Sequence, residues 1–402
     1  MDGHAPRLIL DEGREKPILN KHPWVFSGAI ANISGPEPQP GDIVDILDAN
    51  QNWLARGYYN HLSQIRVRIL TWEKNETIDN AFWRGRLLDA ANRRSLLRLE
   101  PETTAYRLVN AEADCLPGLV VDKYADYLVV QCLTLGIDKR KEQLAQLLVE
   151  CFNPKGILER SDVAIRKKEG LSRVVSILAG EGPPPILQVL ENDIKMNADL
   201  YQGHKTGLYL DQRDNRHTIC QTDHVKDREV LNVFAYNGGF TLYAARNNAG
   251  PITNVEGSRQ FINQIEVNLQ LNLLDRSDDS YISGDAFQIL RKMRDENQKF
   301  DVIILDPPKF AHHKRDIPVA CRGYKDINFL ALKLLRPNGL LATFSCSGII
   351  SQELFQKVLH GAALDAGRNV QIIRNLGQAS DHPVLVSFPE SFYLKGFLCR
   401  VD

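Results

Sequence analysis

Asn232-Val233-Phe234-Ala235-Tyr236-Asn237-Gly238-Gly239-Phe240 is the stretch that decides the fold. An apolar run over residues 229–234 enters two glycines and a helical pattern follows, so the chain passes from strand through a tight turn into helix. Downstream the alternation repeats, predicting strands over 251–256, 280–283, 300–305 and 339–345, with helices over 258–271 and 286–296. Strands alternating with helices in this way form a mostly parallel sheet covered on both faces, the doubly wound α/β class. Apolar runs at 384–387 and 392–397 predict a closing β-hairpin.

In such a sheet, ligands sit at the carboxyl ends of the strands, and five ends here carry distinctive residues. The first, the glycine turn, is neither G-x-G-x-x-G nor G-x-x-x-x-G-K-[ST], so dinucleotides and nucleoside triphosphates are poorly supported. The second ends in Glu256, whose carboxylate can accept hydrogen bonds from ribose hydroxyls, and the third in Asp285. Either carboxylate alone reads equally well as a helix N-cap. Together, glycine and two carboxylates without a phosphate cradle suit a ligand with adenosine and no phosphate, which is S-adenosylmethionine. The fourth end is Leu305-Asp306-Pro307-Pro308-Lys309-Phe310, where two prolines stiffen a loop able to grip a planar base and fix Asp306 toward the crevice. The fifth is Ser345-Cys346-Ser347. A solitary cysteine is usually a small buried hydrophobe, but one between two serines at an open strand end reads as a nucleophile.

The N-terminal half has a different texture. At about 150 residues per domain, the 402 residues predict two or three domains: a β-rich unit over 1–72, an α+β unit over 73–190 and the α/β sheet over 191–402. The run Pro183-Pro184-Pro185 marks the second boundary. Arg66 and Arg68 alternate with apolar neighbours and are expected to share one strand face, either simply solvated or facing phosphate. Two basic patches, Arg84 to Arg98 and Arg160 to Arg173, read as solvated faces or RNA contacts. A composition of 43% hydrophobic and 25% charged residues excludes fibrous and disordered classes. The net charge of −1 gives no global field for polyanions, so any such site is local. Seven dispersed cysteines without C-x-x-C or zinc-ligand spacing point to a reduced cytoplasmic protein without a metal. Neither a secretory signal nor a spanning helix is expected, hence no membrane association.

With these residues in view, the chain closely resembles the ribosomal RNA large subunit methyltransferase I family, bacterial 23S rRNA cytosine-C5 methyltransferases that use S-adenosylmethionine. The resemblance runs the length of the chain. It includes His22-Pro23-Trp24-Val25-Phe26-Ser27-Gly28, Arg160-Ser161-Asp162-Val163-Ala164, Gly203-His204-Lys205-Thr206-Gly207, Tyr209-Leu210-Asp211-Gln212-Arg213 and Cys321-Arg322-Gly323-Tyr324-Lys325-Asp326-Ile327-Asn328. It implies a β-barrel PUA domain that binds RNA over 1–72, a central α+β domain and a Rossmann-like methyltransferase sheet. It also implies a cofactor set of Tyr209, Arg213, Phe234, Tyr236, Gly238, Glu256, Asp285 and Ala286, and a catalytic pair of Cys346 and Asp306. The substrate set it implies is Pro307, Pro308, Lys309, Phe310, Arg322 and Lys325, the last two on a basic loop over 312–325. The expected partner is 23S rRNA, and a homodimer stays open. Two residues depart from the pattern. Glu256 stands where the family often has Asp, and Lys309 replaces the second cysteine that the wider group of cytosine-C5 methylases carries, leaving the base for the C5 proton unassigned. Two alternatives stand beside this reading: methylation of a guanine or adenine nitrogen, and a non-catalytic RNA-binding protein.

Overall fold

The computed structural model describes residues 6–274 and 276–402. In Ile43-Val44-Asp45-Ile46-Leu47, Val44 and Ile46 are buried while Ile43 and Asp45 are half exposed, the period-2 burial of a sheet with one covered face. This strand is β4 of a six-stranded sheet that also holds β1 (Arg7–Leu10), β2 (Trp24–Phe26), β3 (Ile30–Ser34), β5 (Trp53–Tyr59) and β6 (Ile65–Thr71), in the order β2-β6-β5-β4-β1-β3. A second sheet, ordered β11-β10-β9-β8-β7, contains β7 (Ala105–Asn110), β8 (Leu119–Tyr124), β9 (Tyr127–Cys132), β10 (Gly156–Ser161) and β11 (Val174–Gly180). The helices Asn80–Ser95 and Lys141–Phe152 pack against it. Tyr58 of β5 and Leu70 of β6 join the same apolar cluster as these helices, so the two sheets share a core.

Arg68 corrects the expectation for β6. It is 7% exposed, ion-paired to Glu112 at 2.7 Å and Glu169 at 3.1 Å, with its guanidinium 5.1 Å from the Trp24 ring centroid. It is an internal strut, neither solvated nor free to meet phosphate. Each basic patch is likewise partly internal, because Arg94, Arg160 and Arg166 are buried and Arg94 and Arg166 pair with Asp114 and Asp138.

After the two-stranded ribbon β12 (Leu187–Glu191) and β13 (Ile194–Ala198) comes a seven-stranded sheet, ordered β16-β15-β14-β17-β18-β20-β19. Its strands are β14 (Val230–Val233), β15 (Ile252–Glu256), β16 (Ser280–Ser283), β17 (Phe300–Leu305), β18 (Leu335–Ser345), β19 (Val370–Gly377) and β20 (Lys395–Val401). The first five are parallel, and β20 runs antiparallel between β18 and β19. The closing hairpin is therefore β19 with β20, not 384–387 with 392–397. Residues expected as a basic loop over 312–325 also differ, because from Ile317 the chain is helical to Leu334.

The chain divides into two compact units. The first comprises Met1–Val189, Ala198–Leu208 and Asp381–Ser391, and the second Leu190–Asn197, Tyr209–Ser380 and Phe392–Asp402. Segments 198–208 and 381–391, expected with the α/β sheet, thus belong to the first unit. No helix among the described residues is long and apolar enough to cross a membrane.

Candidate active site

Strand β14 pairs with β15 on one side and β17 on the other, and the chain reverses its direction of winding there. That switch opens a crevice at the carboxyl edge. Register brings the ends level, since Val233 pairs with both Val255 and Leu305, Leu305 with Thr343, and Glu256 with Ser283.

The glycine turn is held by strain and hydrogen bonds. Phe234 and Tyr236 have φ of 63° and 49°, left-handed values that bulky residues adopt only where the surroundings enforce them. Glu256 supplies part of that enforcement, since one carboxylate oxygen accepts from the Tyr236 amide at 2.9 Å and the other from Ser258 at 3.0 Å. Each oxygen has a further lone pair, so the carboxylate can be fixed by the turn and still receive ribose hydroxyls. Gly238, at φ +87°, takes a side chain only at a cost, because a Cβ would lie 2.9 Å from Ile265. The aromatic wall consists of Tyr236 packed edge-on between Tyr209, at 5.2 Å, and Phe261, at 4.5 Å. Asp285 caps the helix Ala286–Asp295 through the Gln288 amide at 2.9 Å, and Ala286 is buried as its first residue. Arg213 is buried and donates to Asp214 and Ser380.

On the other side of the switch, the Cys346 thiol donates to the Pro307 carbonyl at 3.8 Å, seating the cysteine against the Asp-Pro-Pro loop. Asp306 follows β17 directly and its amide donates to the Val233 carbonyl at 3.4 Å. Burial pushes the Tyr209 phenol far above its ordinary range, and negative charge on Asp306, and to a smaller extent on Cys346, adds to that shift. Pro308 and Lys309 are exposed, and Phe310 packs on buried Tyr324 at 4.6 Å. Arg322 is exposed on the helix Ile317–Leu334, whereas Lys325 of that helix pairs with Asp365 at 2.7 Å. The other cysteines singled out are placed differently. Cys220 donates to the Phe240 carbonyl, Cys399 is buried inside β20, and Cys321 lies on the helix.

Three supporting groups had escaped the sequence reading. Arg216, gripped by Glu191 at 2.7 and 2.6 Å, lies beneath Gly239, where a Cβ would come within 2.9 Å of it. Ser347 accepts from the Ala311 amide at 3.3 Å and lies 3.2 Å from the Tyr324 hydroxyl, linking the Asp-Pro-Pro loop to the helix. Lys395, the third, had a legible signal: one cation in the otherwise apolar run Tyr393-Leu394-Lys395-Gly396-Phe397-Leu398.

Residues 8–72 match the model of a PUA-like domain, and residues 163–376 that of an S-adenosylmethionine-dependent methyltransferase. The chain is 46% identical over 395 residues to ribosomal RNA large subunit methyltransferase I of Enterobacter sp. (strain 638), covering 98% of this chain and 99% of that one. It belongs to this family. As a ribosomal RNA large subunit methyltransferase I family member it takes S-adenosylmethionine as cofactor, and the crevice fits that ligand: a ribose-competent carboxylate, a glycine turn and no phosphate loop. The fold is shared with solved structures. A chain described as a SAM-dependent methyltransferase from Streptococcus mutans is similar with a TM-score of 0.84 at 21% identity, covering 98% of this chain and 99% of that one. SMU.776, a methyltransferase complexed with SAH, gives 0.85 at 22% identity, with the same coverage. No cluster of three His, Cys, Asp or Glu able to hold a metal occurs among the described residues.

Proposed function

We propose that this family member methylates C5 of a cytosine in 23S rRNA through a covalent adduct on Cys346. The observation that carries the reading is the placement of the thiol at the end of β18, in contact with the Asp306-Pro307-Pro308 loop. C5 of cytosine is a weak nucleophile until a thiolate adds to C6. Cys346 forms the S–C6 bond as the C5–C6 double bond opens, leaving C5 with enamine character. Asp306, protonated once the base is bound, donates its proton to the N3/N4 edge, where negative charge collects during this addition, and takes it back as the ring is restored. Bound S-adenosylmethionine, held by the Tyr236 to Phe240 turn, Glu256, Asp285, Ala286, Tyr209, Arg213 and Phe234, supplies an electrophilic methyl group to C5. Removal of the C5 proton then restores the double bond and expels the Cys346 thiolate. The cytosine reaches this space only after leaving its stack. Pro307, Pro308, Phe310 and Lys309 then border it, with exposed Arg322 supplying positive charge and Lys325 sharing its charge with Asp365. The PUA-like domain adds RNA affinity without chemistry.

Two experiments test this. Cys346→Ala should abolish methylation while leaving cofactor binding intact. RNA with 5-fluorocytosine at the target should trap the wild-type enzyme with cofactor as a complex stable to denaturing electrophoresis, because fluorine at C5 cannot leave as a proton. Normal 5-methylcytosine formation by the alanine variant, a methylated purine nitrogen, or a trapped peptide containing another cysteine would each overturn the reading.

A further inference from the structure

Lys395 opens β20 directly across from Ser345 of β18, one residue before Cys346. It is 1% exposed, and its ammonium donates to the carbonyls of Ser347 at 2.8 Å and Ile350 at 2.7 Å. A lysine so deeply buried is rare, and both of its acceptors are main-chain carbonyls of the loop that leaves Cys346. The next residue is Gly396, where a Cβ would lie 2.4 Å from Phe344, so β20 comes close enough to β18 to bring the ammonium under the loop.

We propose that Lys395 is a positioning residue for Cys346: it pins the loop after the thiol and sets a buried positive charge beside it, so that thiolate is available near neutral pH. The inference rests on Cys346 being the nucleophile. Burial disfavours the Lys395 ammonium and the negative charge of Cys346 favours it; because electrostatic coupling is reciprocal, the ammonium stabilises the thiolate by the same amount. Other groups face this space from each packed segment. Tyr209 and Tyr324 are held neutral by burial, an Asp306 carboxylate would oppose a thiolate, and Lys309 is exposed and solvent-screened. Lys395 is thus a buried cation that acts on the thiol.

The test is the pH dependence of Cys346 alkylation by iodoacetamide, read by peptide mass spectrometry on the full-length protein without RNA. Lys395→Met removes both charge and clamp, Lys395→Gln keeps an amide donor without charge, and Lys395→Arg keeps charge. Both uncharged variants should react with a midpoint about one pH unit or more to the alkaline side, and the arginine variant should restore most of the difference. Unchanged midpoints in variants that still bind S-adenosylmethionine would overturn the proposal. If neither uncharged variant binds cofactor, the wild-type midpoint decides: below the ordinary thiol value of about 8.5 it supports the proposal, and at or above it the proposal fails. Loss of the covalent reading would show separately, as methylation by Cys346→Ala.

Discussion

Glu256 shows how one side chain can brace the backbone and, in the proposed site, also meet the ligand. One of its oxygens holds the Tyr236 amide of the glycine turn and the other the Ser258 amide, and each keeps a further lone pair for the ribose hydroxyls of the proposed site. Glu256→Ala should therefore weaken S-adenosylmethionine binding by about 1.5 to 3 kcal/mol for each charge-assisted hydrogen bond removed, roughly 10- to 100-fold by calorimetry; unchanged affinity would remove it from the site. Lys395 carries a pH signature. Burial lowers its ammonium from 10.5 to about 8. The unfolded chain then binds more protons than the native one between those values, so stability contributed by this residue rises as pH increases from about 8 to 10.5 and is flat below 8. The gain is on the order of 3 kcal/mol. Urea denaturation of wild type against Lys395→Met should show the difference between them changing across this window, and parallel curves would contradict the burial cost.

The turn between β14 and its following helix is the element most sensitive to a single methyl group. Gly238→Ala meets both a φ of +87° and Ile265 at 2.9 Å, costing about 1 to 3 kcal/mol of strain. Thermal melting should drop and cofactor affinity fall with it; a variant with wild-type melting would show that the turn relaxes freely. This turn was legible because its signals are local: an apolar run, two glycines and a helix. The same holds for the ends at Glu256, Asp285, Asp306 and Cys346. Elements that depend on distant partners were not. The helix Ile317–Leu334 contains Pro318 and Gly323 among charged residues, a loop-like composition, yet proline is tolerated in the first turn and Gly323 sits against Phe310. Arg68 looked like a surface cation because Glu112 and Glu169, which neutralise it, lie 44 and 101 residues away in sequence. The apolar run at 384–387 reads as a hairpin strand, but β20 lies between β18 and β19, and its hairpin partner is β19.

At the scale of the molecule, a near-neutral chain must attract RNA locally. Replacing exposed Lys309 and Arg322 together by alanine should reduce the salt slope of RNA affinity by about 0.7 for each phosphate no longer neutralised, without changing cofactor binding; an unaltered slope would exclude both from the RNA path. Deleting residues 1–72 is not a clean test of the PUA-like domain, because Tyr58 and Leu70 complete the core around the helix Asn80–Ser95. Arg68→Met should instead destabilise the first unit by about 3 to 5 kcal/mol, measured by denaturation, since it strands two buried carboxylates. The path of the chain through the two units has a consequence for synthesis. The chain passes between them five times, after residues 189, 197, 208, 380 and 391. A ribosome delivers the last piece of the N-terminal unit, Asp381–Ser391, only when nearly all of the catalytic sheet has emerged. The N-terminal unit is therefore completed only after most of the catalytic sheet has been made. Nascent chains arrested before residue 381 should hold the N-terminal unit in a protease-sensitive state that full-length release converts to a resistant one.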